Sequence, residues 1–162
     1  MTINLKSSIA RRVLIAVESA AFLALLVWVS KTYVALMVSR EPTTGNFQLA
    51  TKLDPGNSEY RLGLSRLLQY SLTDINPEGA VWHLRRATEL NPYHPQPWLD
   101  LAAALELQGK TIEAEACLHR AGSLAPNLPA IHWAAANFFL LHGNVDEAFR
   151  HFKVVLAGST RY

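Results

Sequence analysis

The sequence predicts an all-α chain, with one N-terminal transmembrane helix followed by a short solenoid of about three helical hairpins. A repeated pattern and an apolar run carry that expectation. Ala-x3-Leu-x2-Ala-x4-Pro occurs at Ala80, Leu84, Ala87 and Pro92 and returns 34 residues later at Ala114, Leu118, Ala121 and Pro126. A period of that length with small residues at fixed offsets marks stacked two-helix units, because one hairpin cannot bury its own apolar face. Upstream, residues 13–29 read VLIAVESAAFLALLVWV, with Glu18 and Ser19 as the polar positions.

Taken in chain order, residues 1–12 hold Lys6, Arg11 and Arg12 and are expected on the cytoplasmic side, since basic residues gather before the apolar run. Residues 13–38 form the anchor. The first run alone would span about 26 Å as a helix and the whole stretch about 39 Å, against a hydrocarbon core of about 30 Å. Ser30-Lys31-Thr32 interrupts the stretch before Tyr33 to Val38, and Lys31 can snorkel. A cleavable signal peptide has the same outline, as has a twin-arginine signal, but no clean small-x-small processing site follows. Within the span, Ala16, Ala20 and Ala24 form a small-x3-small ladder beside Ser19, suited to close helix contact in lipid. Glu18 is costly if it faces lipid, so it either reaches the headgroups near Arg11 and Arg12 or meets a group on another membrane helix.

Residues 39–57 form a linker and a half-repeat helix, in which Phe47-x2-Ala50-x4-Pro55 reads as the tail of a unit lacking its front half. Three units follow, at about 58–92, 93–126 and 127–160. The middle one supplies Trp98, Leu101, Ala102, Leu105, Ala114, Leu118 and Pro126. This resembles the tetratricopeptide repeat (TPR) family, whose pattern runs W-x2-L-G-x2-Y, then A-x3-F, then P. The last unit gives His132, Ala135, Ala136, Phe139, Ala148 and Phe152, with Thr160 in place of the closing proline. Its Gly143-Asn144 step reads as a helix-ending glycine followed by an Asx-initiated second helix. The first unit gives Arg61, Leu64, Ser65, Leu68, Ala80, Leu84, Ala87 and Pro92, with three extra residues around Thr73-Asp74-Ile75-Asn76-Pro77. Small residues at Ala102, Ala114, Ala121, Ala136 and Ala148 let helices approach to about 8 to 10 Å, while Trp98, Leu105, Leu118, Phe139 and Phe152 fill the seams.

The resemblance implies a concave groove lined by the first helix of each hairpin. Its offsets place Leu62, Arg66 and Tyr70, then Leu99 and Glu106, then Trp133, Asn137 and Leu140 on that surface, with Arg66 and Asn137 as hydrogen-bond donors. Such a surface suits an extended or helical segment of a partner protein. Some family members clamp a C-terminal carboxylate there, for which one Arg and one Asn are too few. A second candidate surface is the C-terminal edge, where Phe149, Phe152, Val154 and Val155 lie on a final helix without the polar outer face of a capping repeat, before the Arg161-Tyr162 tail.

A formal net charge of +2 with 17% charged residues gives no basic face for nucleic acid. The single Cys117 excludes an intramolecular disulfide framework and reads as a small buried hydrophobe. No motif for a nucleophile elbow, phosphate loop, dinucleotide site or zinc protease is present, and the histidines are spread one or two per repeat, so no catalytic residue, metal ligand, cofactor or small-molecule substrate is expected. The expected function is non-catalytic: a scaffold or assembly subunit of a membrane complex in the inner membrane, with its repeats on the extracytoplasmic or periplasmic side. Its partners would be other protein subunits, their transmembrane helices and membrane lipid. A receptor for peptide segments of client proteins is the alternative, and a transport or proton path through Glu18 a further one.

Overall fold

The computed structural model describes residues 8–71 and 75–159. Lys6, Thr73, Asp74, Thr160, Arg161 and Tyr162, invoked above for topology, the loop insertion, the closing position and the tail, lie outside the described residues. The described chain is all-helical: α1 (Ser8–Val38), α2 (Thr44–Leu53), α3 (Ser58–Tyr70), α4 (Pro77–Leu90), α5 (Pro95–Leu107), α6 (Thr111–Leu124), α7 (Pro129–Leu141) and α8 (Val145–Ser159). From α3 onward consecutive helices pack as hairpins, and a single apolar core runs through all three, from Leu62, Val81 and Leu84 through Leu101, Leu105 and Leu118 to Phe138, Phe139 and Ala148.

Helix α1 passes unbroken through Ser30-Lys31-Thr32. The hydroxyls cause no break because each turns back on the helix, Ser30 Oγ donating to the Leu26 carbonyl at 2.7 Å and Thr32 Oγ1 to that of Val29 at 2.9 Å. Residues Ile9–Val38 contain an 18-residue window with a mean hydropathy of 2.2 and are long and apolar enough to cross a membrane, the one such helix among the described residues. Both an anchor and an N-terminal signal sequence fit that description.

The repeat pattern leaves α2 without a front helix, and the last turns of α1 supply one. Ala35 has no exposed surface and packs with Ala50 and Tyr60, flanked by Phe47 and Leu53. Phe47 also lies against Leu64, Leu68 and Ala80. A β-carbon at Gly63 would overlap the Phe47 ring, so the glycine there makes room for the junction between α2 and α3.

Two backbone devices repeat with the period. The first closes each turn between paired helices: Lys110 N–H donates to Leu105 O at 2.9 Å and Asn144 N–H to Phe139 O at 2.8 Å. The sharp reversal is made by Gly109 and Gly143, at φ of 72° and 76°, where a β-carbon is unfavourable. Asn144 Oδ1 then accepts from Glu147 N–H at 3.3 Å, which starts α8. In the first hairpin the same closure is made by Asn76 N–H to Leu68 O at 2.7 Å, across a sequence spacing three residues longer. The second device concerns the position of the family's tryptophan. Trp98 Nε1 donates to Pro92 O at 3.1 Å, His132 Nε2 to Pro126 O at 2.7 Å, and Arg61 Nη2 to Pro55 O at 3.3 Å. The residue type changes, but a long N–H donor always reaches the carbonyl of the proline six residues earlier. This explains why Arg61 and His132 can stand where the pattern asks for Trp.

Candidate protein-docking groove

The front helices α3, α5 and α7 enclose a hollow of about 180 Å³, lined by Arg66, Tyr70, Leu99, Ala103, Glu106 and Phe138 among others. Its walls are apolar and its floor is crossed by charge. Arg66 Nε donates to Asp100 Oδ2 at 2.6 Å, and Gln96 Nε2 donates to Asp100 Oδ1 at 2.7 Å. Arg66 on α3 and Asp100 on α5 occupy different positions of successive repeats, because the three extra residues of the first unit bring Arg66 into correspondence with Ala103, and the pair ties one hairpin to the next. Glu106 faces His142 at 3.5 Å across the α5–α7 boundary, and Glu59 faces His94 at 3.5 Å across the boundary between the first two hairpins. Half-exposed pairs of this kind contribute about 1 kcal/mol or less each to stability, yet they fix the lateral register of the helices.

Of the residues assigned to the groove from the sequence, the structure brings Arg66, Tyr70, Leu99 and Glu106 together around the hollow. Leu62 lies instead in the core, 4% exposed. Trp133 and Leu140 are exposed further along α7, Asn137 is half-buried there, and the Trp133 ring meets Phe152 edge-on at 5.6 Å between centroids. Trp133 thus links the groove face to α8. Asp100 was missed, because its position in the repeat corresponds to Gly63 and not to Arg66. The effect on Arg66 is considerable, because its guanidinium is already held by a carboxylate and reaches an incoming ligand only by sharing that carboxylate or leaving it.

The terminal hairpin has its own chemistry. His132 Nε2 meets a carbonyl, which only accepts, so its Nε2 carries the proton and its Nδ1 accepts from His151 Nδ1 at 2.9 Å. The His151 ring also stacks on Phe139 at 5.6 Å. Burial, and then the neighbouring His132, push the pKa of His151 below the usual histidine range. Cys117 is buried, and burial pushes its thiol up, as expected for an inert packing residue. Among the described residues no three His, Cys, Asp or Glu side chains gather into a metal-ligating group. On α8, Phe149 and Val154 are exposed, while Phe152 and Val155 are half-buried against α7. On α1, Glu18 is exposed and lies about 160° around the helix from Ala16 and from Ala20, so the carboxylate and the small ladder look in opposite directions.

A family model described as a tetratricopeptide repeat matches residues 83–116, from within α4 through α5 and into α6. Together with the paired helices and the repeated turn closure, that match places a tetratricopeptide repeat at residues 83–116. The described repeats have the TPR fold. Solved structures agree in fold. A crystal structure of MamA superposes with a TM-score of 0.63 at 19% identity, covering 72% of this chain and 66% of that one. A MamA structure from MSR-1 gives 0.59 at 26% identity, covering 73% and 66%. TTC0263, a thermophilic TPR protein of Thermus thermophilus, gives 0.65 at 24% identity, covering 77% and 67%. The chain therefore spans slightly less than two thirds of the length of the MamA structures. A comparison with curated proteins gives no match. TPR arrays are protein-interaction modules, and the hollow between α3, α5 and α7 lies where such a module meets its ligand.

Proposed function

We propose that this TPR protein is a non-catalytic scaffold or assembly subunit that holds a partner protein against a membrane, with α1 as an uncleaved anchor and the groove as one docking face. The observation that carries the reading is the burial of Ala35 against Ala50 and Tyr60. The end of the apolar helix is part of the repeat core, so the domain is mounted on the span without a flexible tether and presents its groove in a fixed direction. A helix unbroken from Ser8 to Val38 also offers no extended segment for a signal peptidase, which favours an anchor over a signal sequence. The hydrocarbon-spanning part would run from Arg12 to Lys31, about 28 Å, leaving Thr32 to Val38 as the front helix of the first hairpin. With Arg11 and Arg12 before the span, the repeats lie on the extracytoplasmic side of the cell's inner membrane.

The test is to extract the full chain in a mild detergent, measure its intact mass and identify what co-purifies. An intact N-terminus, protease-sensitive repeats on spheroplasts and one stoichiometric membrane complex support the proposal. A mature chain beginning beyond residue 25, or repeats protected from external protease, overturns the topology. Many substoichiometric clients displaced by a Tyr70→Ala, Leu99→Ala double variant point to the second reading, a receptor for peptide segments, which the hollow itself favours.

A further inference from the structure

Helix α8 carries residues that the other repeats keep covered. One period before Phe152, Val155 and Leu156 stand Leu118, Ala121 and Gly122, and two periods before stand Leu84, Ala87 and Thr88. In the earlier repeats these positions are covered: Leu84, Ala87, Thr88, Leu118 and Ala121 are all buried, and a β-carbon at Gly122 would lie 4.0 Å from the side chain of Ile131. On α8, Phe149 is 60% exposed and Leu156 65%, and Leu156 is larger than the Thr88 and Gly122 that hold its position in the covered repeats.

The spacing of these residues says what covers them. Val145, Phe149, Phe152 and Leu156 stand at i, i+4, i+7 and i+11, the alternating four-and-three rhythm of a two-helix seam. Ala148, one step to the other side, belongs to the chain's own core, against which one face of Phe152 also packs, and Val155 beside it is half-buried. Beside the seam on its solvent side stand Asp146 and Lys153, seven residues apart and both exposed. When two copies of α8 run antiparallel, Val145 lies opposite Leu156 of the other copy and Phe149 opposite its Phe152. The flanking charges then meet as Asp146 against Lys153, twice over by the two-fold symmetry. A parallel pairing would not give this match, because it sets that flank beside the other side of the partner's seam, where Ala148 and Val155 carry no charge.

We propose that the α8 edge is a self-association surface, on which two copies of this chain pair antiparallel through Val145, Phe149, Leu156 and the outer edge of Phe152, whose other face packs on the chain's own core, with two Asp146–Lys153 ion pairs. The pairing goes beyond the scaffold reading and is independent of what the groove holds. It makes the membrane-bound unit a dimer with two grooves.

The experiment uses the full chain in mild detergent, with mass followed by sedimentation and native mass spectrometry against concentration. The wild type is expected to dimerise. Lys153→Asp and Asp146→Lys each replace two attractions by two repulsions and should weaken the dimer about tenfold or more. The double swap should restore it to within about threefold of the wild type, and an equimolar mixture of the two single variants should give mainly mixed dimers. Both positions are exposed, so unchanged helicity and melting confirm that the variants are folded. A chain that is monomeric at every concentration overturns the proposal. So does a dimer indifferent to the single swaps, which places the contact elsewhere, for instance on the Ala16-Ala20-Ala24 ladder, and so do weakened single variants that the double swap leaves weak, which would mean that the charges do not face each other.

Discussion

Hairpins α5–α6 and α7–α8 share one backbone plan and meet different surroundings. The first is packed on both flanks and uses Leu and Ala along its outer seam, because the next hairpin supplies the apolar surface that completes the contact. The second has a hairpin on one flank only, and there the same positions carry Phe, Val and Leu, together with a histidine pair. In a solenoid a residue's role therefore comes from its place in the repeat and from whether a neighbour follows, and the sequence change at the last unit records a change of neighbour rather than a loss of pattern.

Equivalent truncations on the two hairpins break this comparison most directly. Leu118→Ala removes a buried side chain and should cost about 2 to 5 kcal/mol, whereas Phe152→Ala, one period later and half-buried, should cost clearly less despite the greater volume removed. Thermal melts of both in the same detergent decide it, and equal losses would mean that α8 is as fully packed as α6. Overpacking is the next largest effect. Ala102→Leu, at 2% exposure, and Gly63→Ala, against the Phe47 ring, should each cost about 1 to 3 kcal/mol. An unchanged melting temperature in the first would displace the helix register of the middle repeat.

Gly109→Ala and Gly143→Ala should each cost about 1 kcal/mol or slightly more, by forcing a β-carbon into a positive φ. The two losses should be alike, since the turn is the feature the hairpins share. The smallest expected effect is set by pH. His151 has a folded pKa held below its unfolded value, so its contribution to stability is fully present above about pH 6.5 and is lost as pH falls through that value, where the unfolded chain takes up a proton that the folded chain resists. Amide protection factors on α8, corrected for the intrinsic pH dependence of exchange, should therefore fall between about pH 7.5 and 5.5 more than on α6, and His151→Gln should flatten that difference. Protection that falls equally on the two helices would assign the acid sensitivity to some other group.

The hairpins were legible in the sequence because close helix packing demands small residues at fixed offsets, and Ala80, Ala114 and Ala148 state that demand without ambiguity. The turn at Gly143-Asn144 was legible for a related reason, since few residues accept a positive φ. What the pattern could not express was any contact whose chemistry tolerates substitution. The bond to the proline carbonyl accepts Arg, Trp or His, so it appears in the sequence only as a failed match to tryptophan. Asp100 stayed hidden because a carboxylate has no meaning until Arg66, at a different position of the preceding repeat, is placed beside it. Leu62 was drawn to the groove by its offset and to the core by its hydrophobicity, and the second prevailed. The join between α1 and α2 was illegible in another way, since an apolar helix bound for lipid and an apolar helix bound for a core have the same composition, and α1 is both in turn.

That join gives the molecule an angular setting. With α1 continuous from its apolar run into the repeat core, the azimuth of the groove is geared to the azimuth of that helix. One residue inserted between Lys31 and Val34 would swing the whole solenoid through about 100° and raise it by about 1.5 Å. If α1 is the anchor proposed above, the number of residues between its lipid boundary and Ala35 serves as a compass bearing, and a partner fixed in the same membrane can be faced or missed by the addition of a single amino acid.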